Sequence, residues 1–302
     1  MIAIGIMLIS CSKIQAHSGT VNWNGWSFNW AVSDAATKEG LIIRNLYYNQ
    51  QEIMYKGSMP VIRVHYENNC GPFADRISKE DLAPINWSYC TGQETCSRVY
   101  TDGNGVQWLE IGMYATYGNY QLYYVWYFSS TGYCSPRVFS RGLQCGADHQ
   151  HHVYFRLDFD IKDAGSDQVF VYDNNVGDTG WGNGWRKYFN EQNDLRNAET
   201  GRFWYVSDKL PQNGAYAVEV LPSTNDGTSD SFCTEDIGLR LYNYTEDDGW
   251  TFGPWSQLPF NDKQDIKDKD VVFWYIGHLH HEAADGADEW HNTGPWLYAK
   301  KN

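Results

Sequence analysis

The feature that most constrains the fold is the run from Val153 to Ile161, in which apolar residues occupy every second position. This alternation predicts a β-strand with one buried face. The run directly follows His149-Gln150-His151. Because residues two apart in a strand lie on the same face, the two imidazoles are predicted to point at one place. The segment therefore supplies half of a metal site.

A second histidine-rich segment lies near the C-terminus. The apolar run Val271 to Ile276 leads into Gly277-His278-Leu279-His280-His281. One imidazole from it would complete a three-histidine set suited to copper, zinc or iron. Six of the nine histidines lie in the two segments, at positions 149, 151, 152, 278, 280 and 281. A single H-x-H pair on a surface strand arises by chance, so the metal prediction rests on both segments together.

The composition favours strands over helices. Aromatic residues make up 16% of the 302 residues, with 14 Trp and 22 Tyr, and there are 28 Gly. Aromatic residues pack well on sheets and Gly permits tight turns, so we expect an all-β protein with one domain. The predicted strands are Gly25 to Ala31, Leu41 to Tyr48, Ile53 to His65, Val106 to Thr116, Gln121 to Ser129, Val153 to Ile161, Gln168 to Tyr172, Phe203 to Val206, Ala215 to Val220 and Val271 to Ile276.

The formal net charge is −14. Such a chain repels the phosphates of nucleic acids, so no nucleic-acid partner is expected. The same charge attracts small cations such as protonated amines, and it also serves solubility alone.

Seven cysteines and the N-terminal residues predict export. Residues 1–18 are interpreted as a signal peptide or a lipoprotein leader, because Leu8-Ile9-Ser10-Cys11 resembles a lipobox. The expected location is the periplasm or the cell surface, with a lipid anchor at Cys11 as the only membrane attachment. Without Cys11, six cysteines remain. Cys90 with Cys96 and Cys134 with Cys145 are plausible local disulfides, although sequence alone leaves the connectivity open.

The segment Thr116-Tyr117-Gly118-Asn119-Tyr120, followed by Trp126-Tyr127-Phe128, resembles a copper amine oxidase. In that family the tyrosine of a T-x-x-N-Y motif is converted by copper and oxygen to topaquinone, and Tyr120 matches this position, with Asn119 before it. The resemblance extends in order through Gly25-Trp26-Ser27-Phe28, Glu39 to Ile43, Met54-Tyr55-Lys56 and His149-Gln150-His151. It implies a large antiparallel β-sandwich over residues 19–302, as in a bacterial member that consists of the catalytic domain.

The resemblance also implies roles for other residues. His149 and His151 match two copper ligands, and His281 is the expected third, with His280 as the alternative. Tyr66 matches a tyrosine that contacts the quinone, and Asp75 matches the catalytic base. For the base, two alternatives stay open: Asp75 is a surface residue paired with Arg76, or Glu67 takes its place.

Asp158 and Asp160 alternate on a predicted strand, so their carboxylates share a face. Oxygen ligands in this arrangement suit calcium. The resemblance adds Asp270 and implies a peripheral structural site. Solvent exposure of all three aspartates is the alternative.

The activity implied is oxidation of small primary amines by molecular oxygen to aldehydes, ammonia and hydrogen peroxide, with copper(II) and topaquinone as cofactors and a homodimer as the assembly. Two residues depart from the family pattern: Gln121 stands where Asp or Glu is usual, and Leu122 where Tyr is common. The rival prediction is an exported copper-binding or carbohydrate-binding β-sandwich without quinone catalysis.

Overall fold

The computed structural model describes residues 11–12, 17–84, 90, 92–208, 216–243, 258 and 261–301. Two short 3-10 turns, Lys79–Asp81 and Ala283–Asp285, accompany the strands in these ranges. The strands are β1 (Cys11–Ser12), β2 (Ser18–Trp23), β3 (Trp26–Val32), β4 (Leu41–Tyr48), β5 (Gln51–Tyr66), β6 (Phe73–Asp75), β7 (Thr95–Thr101), β8 (Gln107–Tyr117), β9 (Tyr120–Ser129), β10 (Tyr133–Arg141), β11 (His149–Phe159), β12 (Gln168–Tyr172), β13 (Trp185–Tyr188), β14 (Gln192–Asp194), β15 (Phe203–Ser207), β16 (Tyr216–Leu221), β17 (Ile237–Leu241), β18 (Val271–His281), β19 (His291–Thr293) and β20 (Trp296–Lys301).

The strands form two antiparallel sheets. Sheet I has the order β1-β7-β8-β9-β10-β20-β16-β15-β12-β13, with β19 paired to β10. Sheet II has the order β14-β17-β18-β11-β5-β4-β3-β2, with β6 paired to β5. One apolar core draws residues from both sheets, including Trp26 and Phe155 of sheet II and Trp126 and Trp204 of sheet I. The predicted all-β antiparallel sandwich is confirmed.

All ten predicted strands are present, with ends shifted by a few residues. Others were missed because their sequences lack clear alternation. In β10, Pro136 and Arg137 interrupt the apolar pattern, yet Arg137 is buried. Its guanidinium lies 5.0 Å from the ring centre of Trp296 and donates to Asn292 Oδ1. Partners distant in sequence therefore make this strand possible.

The last long strand, β18, continues through all three of its histidines to His281. The sequence placed them beyond a strand that ended at Ile276, and this boundary was wrong. Gly277 allows the continuation, because a Cβ at this position would lie 2.2 Å from Thr293 Oγ1. A residue without a side chain lets β19 approach closely. The histidines of β18 are therefore held by sheet hydrogen bonds.

The structure pairs Cys90 with Cys96, as predicted, and Cys70 with Cys145. The predicted Cys134–Cys145 disulfide is wrong. Cys134 lies in β10, opposite Phe128 and Leu297, and is buried in the core. Since an extended strand rises about 3.3 Å per residue, β10 carries Cys134 away from Cys145 although they are close in sequence. The loop after β5 brings Cys70 there instead.

Most of the predicted leader, residues 1–10 and 13–16, lies outside the described residues. The backbone of Cys11–Ser12 pairs with β7 at Arg98 and Ser97. Across the ranges that the structure describes, no helix has the length and apolar character needed to cross a bilayer.

Candidate active site and metal centres

The site is assembled around β11, which lies between β5 and β18. His149 is directly opposite Tyr66 of β5 on one side and His281 of β18 on the other. Residues of β11 at odd positions face the core between the sheets, as shown by Val153 and Phe155. His149, His151 and His281 therefore share the inner face of sheet II.

Tyr120 comes from the facing sheet. It is the first residue of β9 and follows a two-residue turn, Gly118-Asn119, in which Gly118 has a positive φ of 58°. The Tyr120 side chain is buried, with 3% exposure. Its hydroxyl lies 3.0 Å from His149 Nε2 and 2.5 Å from the hydroxyl of Tyr66. The phenol thus meets the histidines inside the sandwich.

The rings around this phenol are in contact. The ring centre of His151 lies 4.9 Å from that of Tyr120 and 5.0 Å from that of His149. The centres of the His149 and His281 rings are 4.9 Å apart, and Tyr66 stacks on His149 at 4.7 Å. One phenol and three imidazoles, far apart in sequence, therefore converge in one place.

Hydrogen bonds fix which nitrogens are available as ligands. His149 Nδ1 lies 3.0 Å from the Ala147 carbonyl, and His281 Nε2 lies 2.9 Å from the Gly286 carbonyl. A carbonyl oxygen can only accept, so each of these nitrogens carries the hydrogen and the other nitrogen presents its lone pair. In His281 that nitrogen, Nδ1, is buried without a hydrogen-bond partner, and so is Nε2 of His151.

This donor set fits a transition-metal ion such as copper. Burial, and secondly the neighbouring histidines, lowers the pKa of His151 well below its usual range. The pKa of His149 is lowered to about 4, mainly by burial. Both rings are therefore neutral near pH 7, which is the form that binds metal. Since a buried nitrogen without a partner is costly, a bound cation would also remove that cost.

His280 lies on the opposite side of the strand. It is exposed, whereas its neighbour His281 is fully buried. The alternation along β18 thus directs His281, and not His280, to the face that holds Tyr120.

Three further groups of side chains bring possible metal ligands together among the described residues. In each group the ligand atoms all lie within 4.8 Å of one another. The groups are His152, Cys233 and His278; His281, Asp285 and His291; and Asp158, Asp160 and Asp270. The sequence did not single out Cys233 or His291. His291 follows a turn after β18, and its ring centre lies 4.4 Å from that of His281.

Asp75 ends β6 and pairs with Ile62 of β5. Burial raises the pKa of Asp75 to about 7. Its charge in turn raises the pKa of Tyr66 and of Tyr120, beyond the larger effect of their burial. The competing Glu67 is exposed.

For the alternative of an Asp75–Arg76 pair, the structure gives two observations: the Arg76 guanidinium donates to the Thr37 carbonyl at 2.8 Å, and burial is the cause of the raised pKa of Asp75. Asn119 is exposed in the turn before Tyr120, and its amide lies 3.5 Å from the Leu143 carbonyl. The structure thus places the Asn119 side chain toward the loop after β10.

Gln121, where the family has an acid, does not share the face of Tyr120. Successive residues of a strand point to opposite faces. The Gln121 side-chain oxygen accepts hydrogen bonds from Nε and Nη2 of Arg141 at 2.9 and 2.7 Å. The neutral amide therefore removes a charge from the face of β9 opposite the Tyr120 ring.

The predicted calcium ligands Asp158, Asp160 and Asp270 are brought together at the opposite end of β11. Burial, followed by the charge of Asp158, raises the pKa of Asp160 to about 7 and that of Asp270 to about 8. Asp167 adds a fourth buried carboxylate, whose Oδ2 has no hydrogen-bond partner. The alternative that all three predicted aspartates are exposed to solvent is thus wrong. The cluster of carboxylate oxygens fits a hard cation.

We expect calcium to stabilise the protein more at pH 9 than at pH 6. Asp160 and Asp270 have folded-state pKa values above the unfolded value of about 3.9. The folded state therefore binds more protons, and its stability falls as pH rises through 7 to 8. A bound cation offsets the repulsion, and at 100 times its Kd it adds about 2.7 kcal/mol. Thermal denaturation with calcium or EDTA at both pH values measures this effect.

The matched control for this measurement is Asp163→Asn, which changes an exposed aspartate in the adjacent loop. It should keep the calcium response, and Asp270→Asn should lose it. An equal response in both variants would contradict the site.

Two surface cavities, of about 510 and 450 Å³, lie elsewhere. Tyr100, Trp108 and Trp296 contribute aromatic walls to the larger, and Arg196 and Asp226 contribute charge to the smaller. Neither of these cavities is lined by Tyr120 or Asp75.

The protein is thus a two-sheet antiparallel sandwich in which a buried tyrosine lies against a histidine cluster. No protein-family model matches the chain, and no curated protein sequence does. Solved structures do match, and they show that the chain has the fold of the copper amine oxidase catalytic domain.

The similar structures include a copper-containing benzylamine oxidase from Hansenula polymorpha, with a TM-score of 0.69 and 14% identity over 99% of this chain and 63% of that one. Lysyl oxidase from Pichia pastoris has a TM-score of 0.73 and 13% identity over 93% of this chain and 51% of that one. An amine oxidase from Aspergillus nidulans has a TM-score of 0.68 and 14% identity over 94% of this chain and 52% of that one. The chain therefore spans about half to two thirds of the length of these proteins.

Proposed function

We propose that this protein is a copper- and topaquinone-dependent oxidase of primary amines. The observation that carries the proposal is the position of Tyr120, whose hydroxyl lies between Tyr66 and His149 while His151 packs against its ring. A metal ion bound by these neutral imidazoles would lie close enough to the Tyr120 phenol to react with it. The fold shared with amine oxidases supports the same conclusion.

The residues that would hold copper are His149, His151 and His281. Copper(II), with the quinone derived from Tyr120, would supply the redox chemistry by which an amine, oxygen and water become an aldehyde, ammonia and hydrogen peroxide. The chain's part is to position and protect these groups. Nδ1 of His149 and Nε2 of His281 are tied to carbonyl oxygens, which fixes both rings in the orientation that ligation requires.

Tyr66 positions the reactive ring. Its hydroxyl contacts that of Tyr120 at 2.5 Å, and its own ring is fixed by stacking on His149 and by an edge contact with Phe73. This arrangement restricts rotation of the residue 120 ring, which helps to hold reacting atoms in one geometry.

Asp75 is the proposed base that accepts a proton from the carbon next to the amine nitrogen of the substrate. Burial raises its pKa to about 7, so near neutral pH about half of it is present as the carboxylate, and that carboxylate is basic enough to accept the proton. An ordinary surface aspartate is a much weaker base.

Replacing Asp75 with Asn should lower kcat/KM by about 10²- to 10⁴-fold, since a positioned base contributes about that much. In the unaltered protein, kcat/KM should fall tenfold per pH unit below about pH 7, because protonation of Asp75 removes the base. This acidic limb should be absent from the residual activity of Asp75→Asn. Initial rates of peroxide release from pH 5 to 9 provide the measurement.

The exposed neighbour Glu67 supplies the control, and Glu67→Gln should keep both the rate and the pH profile. An unchanged kcat/KM in Asp75→Asn, or a fall of kcat/KM below about pH 7 that persists in this variant, would show that another residue is the base.

The activity itself is tested by loading purified protein with copper in air. We expect a visible quinone band that shifts on addition of phenylhydrazine, and peroxide release with members of a panel of primary amines. A colourless protein with an unmodified Tyr120 peptide in the mass spectrum would reject the proposal.

The second candidate is an exported copper- or carbohydrate-binding protein without quinone catalysis. The larger cavity favours it, because the rings of Trp108 and Trp296 meet there edge to face at 5.8 Å and present aromatic surface outside the tyrosine site. Binding of oligosaccharides without amine turnover would support this candidate.

The proposal includes an oxidising location, either the periplasm or the cell surface. Two disulfides, Cys70–Cys145 and Cys90–Cys96, suit such a compartment. A leader in residues 1–18, a lipid anchor at Cys11 and a homodimer are part of the same proposal. Mass spectrometry of the protein purified from its membrane fraction tests the anchor.

A further inference from the structure

A second histidine cluster lies on the outer face of sheet II. His152 and His278 are direct partners across the β11–β18 pair, one residue out of phase with the inner-facing His151 and Leu279. The outer position is shown by Tyr154 and Ile276, which belong to a separate apolar cluster that also contains Cys233. The thickness of the sheet therefore separates this cluster from the site around Tyr120.

The two imidazoles face each other through the same type of atom. Nδ1 of His152 lies 2.7 Å from Nδ1 of His278. On the far side, Nε2 of His278 lies 2.7 Å from Asp236 Oδ1, and Nε2 of His152 lies 3.5 Å from Asp230 Oδ2. Each ring thus has a carboxylate behind it.

These carboxylates are held as acceptors. Asp236 receives the backbone N–H of Arg196 at 2.6 Å and its guanidinium at 3.2 Å. Asp230 Oδ1 receives the backbone N–H groups of Phe232 and Cys233, each at 2.8 Å. Nε2 of His152 is buried without a hydrogen-bond partner, because its 3.5 Å contact with Asp230 is not a hydrogen bond. Asp236 places the hydrogen of His278 on Nε2, so the Nδ1 lone pair of His278 points at Nδ1 of His152. Either a shared proton or a cation must lie between them.

The thiol of Cys233 makes a cation the better explanation. Cys233 is fully buried, is not in a disulfide, and offers its sulfur within 4.8 Å of a nitrogen from each histidine. Its Sγ lies 3.0 Å from the hydroxyl of Tyr154, which accepts a hydrogen bond from Arg63 at 2.8 Å. Burial raises the pKa of the Cys233 thiol to about 12, so the thiol keeps its proton until a bound cation displaces it.

We propose that His152, Cys233 and His278 form a second transition-metal site, which takes a borderline-to-soft cation, represented by Zn²⁺, through two imidazole nitrogens and one thiolate. This donor set is typical of zinc and copper and unsuited to calcium or magnesium. Asp236, hydrogen-bonded to His278, orients that ligand as carboxylates behind metal-bound histidines do. As the metal–sulfur bond forms, the thiol proton is released to solvent.

The site would fasten the segment that carries Asp230, Cys233 and Asp236 to the two central strands. That segment reaches strands β11 and β18 through these side chains. The proposal does not depend on amine oxidation, because none of its ligands faces Tyr120.

Cobalt(II) provides a spectroscopic test on the metal-free full chain. We expect one equivalent to produce a thiolate-to-cobalt charge-transfer band that added Zn²⁺ removes. Cys233→Ser should abolish the band and lower Zn²⁺ affinity at least about 100-fold. Cys134→Ser, which alters the other free buried cysteine, should keep both. Wild type without the band, or a band that survives Cys233→Ser, would overturn the proposal.

A measurement on the unaltered protein guards against a variant that fails to fold. X-ray absorption at the zinc edge should show one sulfur at about 2.3 Å together with nitrogen at about 2.0 Å. A shell of nitrogen and oxygen alone, or no zinc uptake, would instead assign the His152–His278 contact to a shared proton.

Discussion

Replacing Tyr120 with Phe is expected to remove all amine-dependent peroxide release, a loss of about 10⁶-fold or more to the uncatalysed background. The expected reason is that Phe lacks the hydroxyl held between Tyr66 and His149, so the quinone cannot form. The visible band and the reaction with phenylhydrazine should disappear with the activity. Absorption spectra and the mass of the residue 120 peptide after copper loading provide the measurement.

Tyr127→Phe is the matched control for this variant. Tyr127 lies on the same strand but on its other face, packed with a separate cluster. It should keep the band and the turnover. Because the core tolerates loss of one hydroxyl at either position, both variants should fold. Peroxide release at the normal rate by Tyr120→Phe would end the quinone proposal.

Replacing His281 with Ala should weaken copper binding at the Tyr120 site at least about 100-fold, since the change removes one of three ligands. The variant should then leave Tyr120 unmodified, because the modification depends on copper. Equilibrium dialysis with copper(II), followed by mass analysis of the Tyr120 peptide, measures both consequences.

His280→Ala is the control that the chain itself offers. His280 is adjacent in sequence yet exposed on the other face, so its loss should change neither copper content nor modification. Equal effects of the two substitutions would contradict the assignment of faces along β18. Loss of copper in His280→Ala alone would move the third ligand by one residue.

The parts of the fold that could be predicted are those that depend on residues close together in the sequence. The pattern of short apolar runs bounded by polar turn residues identified strands such as β4 and β12 to the residue, because it depends only on near neighbours in the sequence. It missed β10, whose Arg137 is buried only because Trp296 and Asn292 arrive from the C-terminus.

The site shows the same division. The pairing of His149 with His151 on one face is a property of two residues in one strand. Asp75 and Tyr66 were suggested by resemblance. The structure places the Tyr66 hydroxyl against that of Tyr120, and the charge of Asp75 raises the pKa of both tyrosines. Cys233 gave no sequence signal of a site, since its partners are 45 and 81 residues away.

The sequence by itself determined the strands with clear apolar runs and which of their side chains share a face, because backbone geometry makes both depend on neighbours one or two positions apart. Only the tertiary structure decided that β11 lies between β5 and β18, that Tyr120 arrives from the opposite sheet, and that Cys145 pairs with Cys70. Partners that come from distant parts of the sequence are chosen by the burial of the whole core, so no local pattern specifies them.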